Sequence, residues 1–362
     1  VTAKPPIRPG SLGIIEGFFG RCWSWNERRD MARFSAHSGL GFYLYAPKSD
    51  SRLRRLWRQP WNDADLRALL ELRRECQSLG LAFGVGLSPL ELYREPGADA
   101  CRALAEKVRY LNRLEPDCLC LLFDDMRGDL PALATNQIDL AHCAAEHSVA
   151  EQLILCPTYY SDDPVLEKVF GTRPAHYWET LGERLDSHIG IFWTGPTVCS
   201  DRYPAEHLLE VGARLKRQPI LWDNYPVNDS SVKSQLLQLR GVDRSHGHLP
   251  ALVGGHAINP MNQPYLSRIP LLSASEAYRL GDAYSPEHAF ESACRALAEE
   301  PLATALIEDT PLFQDRGLGA LTQAEQTRLR QRYQQWADDP MAREVVAWLN
   351  GEYAFDPACL TD

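Results

Sequence analysis

The stretch CLCLLFDDM, Cys118 to Met126, ends an apolar run on two adjacent carboxylates, Asp124 and Asp125. Like charges side by side raise each other's pKa, so the pair costs stability unless water relieves it or chemistry uses it. A pair of aspartates in such a place is commonly a solvated turn or a helix N-cap. The chemical reading gains weight because other apolar segments also end in polar residues. The first ends at Glu16-Gly17 and runs into Phe18-Phe19-Gly20-Arg21. The second ends APKSD, with Lys48 and Asp50, and the fifth ends CPTYY, with Thr158, Tyr159 and Tyr160. The sixth ends WTGP, Trp193 to Pro196. The seventh ends WDNYPVND, with Trp222, Asp223, Asn224, Asn228 and Asp229, and the eighth ends HAINP, with His256 and Asn259.

This mixture suits a sugar. Carboxylates and amides pair with hydroxyls, aromatic faces cover the apolar side of a pyranose, and paired carboxylates are the equipment of glycoside hydrolysis. Neighbouring residues on a strand point to opposite faces, so Asp124 and Asp125 can share a site only if the strand has already ended. One could then act as general acid while the other touches a different substrate atom, the charge of one keeping the other protonated. A metal reading needs histidines, such as an HxH pair on an early strand, and the sequence has none. No Cys/His cluster has ligand spacing either, so neither a metal nor a cofactor is expected.

The elements that must position these residues follow from an alternation. Near-continuously apolar segments lie at 12–17, 41–47, 81–89, 118–125, 152–158, 188–195, 219–224 and 251–257. Such runs suit strands covered on both faces. Amphipathic helices lie between them. Ser24 and Glu27 have capping-box spacing. Asn62 can cap a helix carrying Leu66, Leu69, Leu70 and Leu79, with Gly80 where a C-terminal glycine belongs. Eight strands alternating with helices imply an α/β fold, a (β/α)8 TIM barrel whose site lies at the carboxyl ends of the strands. A doubly wound sheet is the alternative, but no G-x-G-x-x-G follows the first strand. Beyond about residue 270 the strand signal stops, and 274–300, 321–337 and 340–350 read as helices punctuated by Pro286, Pro301, Pro311 and Pro340. The expected organisation is a catalytic barrel over 1–270 and a helical C-terminal appendage over 271–362.

The 362 residues suffice for one large barrel and a smaller part. A net charge of −10 with no Lys/Arg block argues against nucleic acid or an anionic membrane as partner. No apolar run approaches the ~18 residues of a membrane-spanning helix. The ten cysteines form no CxxC and read as reduced core thiols of a cytoplasmic protein. The N-terminus shows no apolar signal region, although a chain starting at Val1 leaves secretion open. The oligomeric state is not legible.

The motifs GIIEGFFGRCW, FYLYAPKSD, LLFDDM, CPTYY, WTGP, ILWDN with Asn228-Asp229, and Ile258-Asn259-Pro260 together resemble glycoside hydrolase family 84, in order and spacing. That family holds the β-N-acetylglucosaminidases, the O-GlcNAcases and some bacterial enzymes called hyaluronidases. The likeness covers roughly 12–290, and LLSASEAYRLGDAYSPEHAFESA (271–293) is similar to the segment after the barrel in bacterial members. The resemblance implies a retaining, substrate-assisted exo-glycosidase that releases terminal β-linked GlcNAc through an oxazoline. It implies that Asp124 accepts the acetamido N–H, that Asp125 is the general acid and base, and that Tyr160 bonds at the reacting centre. It implies that Gly17 offers its carbonyl to a hydroxyl. Lys48, Asn224, Asp229 and Asn259 would hold hydroxyls or the acetamide, and Trp222 would wall the acetamido methyl. The implied substrate is O-GlcNAc on protein. The alternatives are GlcNAc on glycans or cell-wall fragments, or a catalytically silent sugar-binding barrel. Departures from the family pattern at Phe19, Cys22, Ser49, Leu90 and Tyr159 bear on the aglycone side.

Overall fold

The structure, a computed structural model, describes residues 6–357. Strands β1 (Leu12–Glu16), β2 (Phe42–Tyr45), β3 (Ala82–Leu87), β4 (Cys118–Leu122), β5 (Gln152–Cys156), β6 (Gly190–Trp193), β7 (Ile220–Asp223) and β8 (Gly255–Ile258) pair in parallel. They close in sequence order into one barrel. Helices α1 (Trp25–His37), α2 (Asp63–Ser78), α3 (Ala98–Leu111), α4 (Leu133–His147), α5 (Val165–Phe170), α6 (Tyr177–Arg184), α7 (Ala205–Leu215) and α8 (Leu249–Leu252) lie between the strands. After the barrel come α9 (Pro264–Leu280), α10 (Pro286–Leu297), α11 (Glu300–Thr310), α12 (Gln323–Tyr333) and α13 (Pro340–Leu349). The (β/α)8 expectation is met. Every residue of β1, β2, β4, β5, β7 and β8 is buried, which is why they read as unbroken apolar runs rather than as alternation.

The helix signals hold. Ser24 and Glu27 form a reciprocal capping box at α1, and Asn62 accepts the Asp65 N–H at α2. Gly80 follows the end of α2 with φ +74°. Two boundaries differ. The eighth strand was expected over 251–257, but Leu249–Leu252 is a helical turn started by Pro250, and pairing with β7 and β1 begins only near Gly255. The helix expected over 274–300 is three pieces, α9, α10 and α11. Pro286 and Pro301 sit in the first turns of α10 and α11, where a missing N–H costs nothing.

The cysteine reading needs a correction. Cys101 on α3 and Cys143 on α4 are joined by a disulfide with Cα atoms 5.9 Å apart. Neighbouring outer helices bring together two residues 42 positions apart, and no local motif announces it. Among the described residues seven cysteines stay free, including the buried strand residues Cys118, Cys120 and Cys156. Cys359 lies outside the described residues.

The main core fills the barrel and the layer beneath its helices. A second core, built on Phe290, Leu306, Phe313, Tyr333 and Trp348, packs beside the barrel against Leu266 and Ile269 of α9. Helix α9 faces both cores and runs continuously through residue 270. Glu344 of α13 caps α9, accepting the Tyr265 N–H at 2.9 Å and the Leu266 N–H at 2.7 Å.

Helix α1 is tied to β1 by charge. Glu16 is fully buried and receives the Arg28 guanidinium at 2.7 Å and the Tyr43 hydroxyl at 2.7 Å. Breaking such a pair strands a charge, whereas replacing both partners does not. Arg28→Ala is therefore expected to cost about 3–5 kcal/mol of unfolding free energy in a denaturant titration. The double change Glu16→Gln with Arg28→Met should recover most of it. A loss below about 1 kcal/mol for Arg28→Ala, the range of an exposed pair, would show that the pair does not hold α1.

Candidate active site

The site is built from the carboxyl ends of the strands. Strand β4 ends at Leu122, and the Phe123 N–H still pairs with the Cys156 carbonyl at 2.9 Å. The chain then turns, with Asp125 at φ +57°, a left-handed conformation that aspartate tolerates better than most residues. This turn meets the condition read from the sequence: strand alternation has stopped, and both carboxylates reach one cavity. The cavity holds about 410 Å³. Gly17, Lys48, Asp124, Asp125, Tyr160, Trp222, Asn224, Asp229 and Asn259 all line it. The structure thus brings together the nine residues to which the family resemblance assigned a role.

Its electrostatics centre on one cation. The Lys48 ammonium is buried, bonds the Asp124 carboxylate, and lies 4.0 Å from Asp125. The Tyr160 hydroxyl donates to Asp125 at 3.1 Å. Burial first, and the charge of Asp124 next, push the Asp125 carboxyl above its ordinary range, while Lys48 and the Tyr160 hydrogen bond oppose the shift. Asp124 Oδ1 is buried without a hydrogen-bond partner among the described residues. A buried acceptor left open in this way is costly unless something arrives to fill it.

The opposite wall is a chain of amides. Asn224 Oδ1 accepts from Trp222 Nε1 and from Asn259 Nδ2, each at 3.1 Å, and Asn224 Nδ2 donates to the Val198 carbonyl at 2.8 Å. Asn259 in turn accepts the Gly17 N–H at 3.2 Å. A Cβ on Gly17 would lie 2.4 Å from Trp222 Cζ2, so the absence of a side chain is what lets the indole close the wall. Asp229 accepts the Phe19 N–H at 2.9 Å, and burial raises its carboxyl, with Asp125 adding to the shift.

Other polar residues at the strand ends turn away. Glu16 faces α1, and Asp50 binds the Tyr45 hydroxyl and the Trp61 indole. Thr158 bonds Gln137, Tyr159 reaches the Gly171 carbonyl, and Trp193 reaches His207. Asn228 bonds Gln263. Asp223 is fully buried behind the wall, where its carboxylate meets Tyr203 at 2.7 Å, His246 at 2.8 Å, His256 at 3.1 Å and the Tyr225 N–H at 2.9 Å. These bonds account for the lowered Asp223 pKa despite its burial. His256 lies inside β8, one step further from the rim than the sequence suggested. Asp223, His246 and His256 are also close enough to share a metal ion. Their ligand atoms already bond one another, however, so the cluster is accounted for as a hydrogen-bonded brace behind Trp222 and Asn224. The period of two decides these placements: Gly17 faces in where Glu16 faces out, and Trp222 and Asn224 flank an outward Asp223.

The sequence reading missed several lining residues. Val198 and Cys199 lie in the loop after β6, Ser231 and Lys233 in the loop after β7, and Phe355 beyond α13. None carries a local signal of its place. Among the described residues no helix is long and apolar enough to cross a membrane.

Comparison with known proteins agrees with this geometry. A family model described as beta-N-acetylglucosaminidase matches residues 12–309. The protein O-GlcNAcase of Mus musculus is 28% identical over 247 residues, 66% of this chain and 26% of that protein. The Rattus norvegicus protein O-GlcNAcase is 28% identical over 235 residues, 62% of this chain and 25% of that protein. The chain thus spans about a quarter of the length of these curated relatives. A mutant of the Thermobaculum terrenum O-GlcNAc hydrolase superposes with a TM-score of 0.75 at 30% identity, covering 94% of this chain and 75% of that one. The structure of CpGH84B gives the same TM-score at 23% identity, covering 95% and 67%, and speaks for the fold.

The charge arrangement predicts its own response. Removing the cation in Lys48→Met should raise the Asp125 titration midpoint, and removing the neighbouring charge in Asp124→Asn should lower it. Carboxyl ¹³C chemical shifts followed against pH read both. Midpoints that move together, or not at all, would contradict the assigned couplings.

Proposed function

The chain belongs to the β-N-acetylglucosaminidase family, and on that premise we propose that it is a retaining exo-β-N-acetylglucosaminidase that removes O-linked GlcNAc from proteins. The observation that carries the reading is the pair at the end of β4. A retaining glycosidase with its own nucleophile needs carboxyls flanking the scissile bond about 5–5.5 Å apart. Asp124 and Asp125 come from one turn and share one ammonium, with Asp229 the further carboxylate lining the cavity. The family resemblance implies that the nucleophile is the substrate's own 2-acetamido oxygen, one of the known exceptions to the two-carboxylate scheme.

The roles are those that the family resemblance implies, and the geometry is compatible with them. Asp124 Oδ1 accepts the acetamido N–H, which polarises the amide and drives its oxygen toward the anomeric carbon. As the new C–O bond forms, the bond to the leaving oxygen breaks, and Asp125 delivers its proton to that oxygen. The raised pKa keeps the proton available to a higher pH than an ordinary carboxyl would. Asp125, now a carboxylate, takes a proton from the water that opens the oxazoline. Tyr160 and Lys48 steady it in that state. Trp222 walls the acetamido methyl, while the Gly17 carbonyl, Asn224, Asp229 and Asn259 hold the ring hydroxyls. Seven free thiols among the described residues support a cytoplasmic location, while the Cys101–Cys143 bond counts toward an oxidising one.

Two variants test this. Asp125→Ala should lose about 10²–10⁴ in rate on a GlcNAc glycoside with a poor leaving group. It should lose far less on 4-methylumbelliferyl β-GlcNAc, whose phenolate needs little protonation. Equal losses on both would remove the acid role. Asp124→Asn should slow both substrates alike, and a wild-type rate in that variant would take Asp124 out of the mechanism. In the wild type kcat/KM should fall on the alkaline side as Asp125 loses its proton, and a profile flat through neutral pH would contradict its role as acid.

A further inference from the structure

The carboxylate behind the cavity wall has its acceptor positions filled. Asp223 Oδ1 takes the Tyr203 hydroxyl at 2.7 Å and the Tyr225 N–H at 2.9 Å. Its Oδ2 meets His246 Nε2 at 2.8 Å and His256 Nε2 at 3.1 Å. An ionised carboxylate can only accept, so both Nε2 atoms must carry a proton.

The second nitrogen of each ring separates the two histidines. His256 Nδ1 faces the Tyr278 hydroxyl at 3.0 Å. A hydroxyl can donate, so a neutral His256 satisfies both of its contacts. Burial also pushes this imidazole toward its neutral form. His246 Nδ1 faces the Asp243 carbonyl at 3.0 Å, and a carbonyl only accepts. Either neutral tautomer of His246 would set a ring lone pair against an oxygen lone pair, in a ring that is 2% exposed. Only the imidazolium donates at both nitrogens. The anions facing it are Asp223 from β7 and Asp243 from its own segment. The other ionisable rings against it are Tyr203 from the loop after β6, with centroids 5.3 Å apart, and His256 from β8, at 5.5 Å.

The place of this cation gives it a task. Asp223 stands between Trp222 and Asn224, which line the cavity. The loop after β6 is tied to the same strand end twice, by the Val198 carbonyl on Asn224 and by Tyr203 on Asp223. The His246 segment joins that loop in turn, since Ser245 Oγ accepts the Tyr203 N–H at 3.1 Å. We propose that His246 is a buried imidazolium paired with Asp223, and that it is a positioning residue for the sugar-binding wall of Trp222 and Asn224. Asp124 is held separately, by Lys48 from the loop after β2. The pair therefore acts on sugar binding rather than on proton transfer. The role in binding rests on the hydrolase reading above, whereas the charge state of His246 does not.

The test starts with ¹⁵N spectra of the histidine rings at neutral pH, with and without a chelator. His246 should show two protonated nitrogens and His256 one, with no change on chelation. An unprotonated nitrogen in His246 would overturn the proposal, and so would a response to the chelator, which would put a metal ion where the proton is assigned. His246→Gln keeps a donor for Asp223 but no charge. It should raise KM for 4-methylumbelliferyl β-GlcNAc, and the dissociation constant of a thiazoline analogue of the oxazoline, about tenfold, the scale of one lost contact. Its kcat should stay unchanged, as expected when binding alone is lost. A fall in kcat with KM and thiazoline affinity unchanged would mean a merely structural role. The double change Asp223→Asn with His246→Gln removes both charges and should bind the thiazoline more tightly than His246→Gln alone. Binding no tighter than in the single variant would contradict the pairing. Should His246→Gln fail to fold, the wild-type spectra and the double variant decide. Wild-type protein that turns over no β-GlcNAc glycoside would overturn the hydrolase reading instead, and the spectra and thiazoline titration would still judge the pair.

Discussion

Two carboxylates share one ammonium at the end of β4, and the site is organised around that imbalance. Lys48 compensates Asp124 directly and reaches Asp125 only at 4.0 Å. The remaining repulsion, added to burial, raises the Asp125 carboxyl. A proton donor and a hydrogen-bond acceptor therefore stand side by side, although the charges of Lys48 and Arg54 both oppose the shift. Had each aspartate its own lysine, both would be held as carboxylates and neither could serve as an acid. The left-handed turn at Asp125 is what makes the sharing possible, because a continued strand would send one of the two into the helical layer.

The barrel behind the site is braced to keep that arrangement in place. Glu16 and Asp223 are the buried carboxylates at the ends of β1 and β7. Each is satisfied from the helical side, Glu16 by Arg28 and Tyr43, and Asp223 by Tyr203, His246 and His256. Their neighbours in sequence, Gly17 and Trp222, touch each other across the cavity wall. A charge fixed on the outer face of a strand thus positions a binding group on its inner face, through the rigidity of a fully paired strand.

Much of this was legible in the sequence, for identifiable reasons. Strands buried on both faces betray themselves as apolar runs, and their ends are marked where polar residues begin. That is enough for the barrel and for the strand ends that carry the site, while the nine lining residues were picked out by the resemblance of those motifs to glycoside hydrolase family 84. It is not enough to say which polar residue at each end faces inward. Asp223 and His256 sit among the rim motifs yet point away, because the turn that fixes the phase of alternation depends on pairing with the neighbouring strands. The Cys101–Cys143 bond and the arrival of Phe355 at the mouth are contacts between distant segments, 42 residues apart in the first case. Nothing local encodes them.

The central claim is that the substrate's acetamide is the nucleophile and Asp124 its partner. The most direct measurement is kcat/KM on a series of aryl β-glycosides whose N-acetyl group carries none, one, two or three fluorines. Fluorine drains the carbonyl oxygen of nucleophilicity while hardly altering its size. The account predicts a steep, monotonic fall along the series. A rate indifferent to fluorination would mean that a group of the protein attacks the anomeric carbon, and the role given to Asp124 would be wrong.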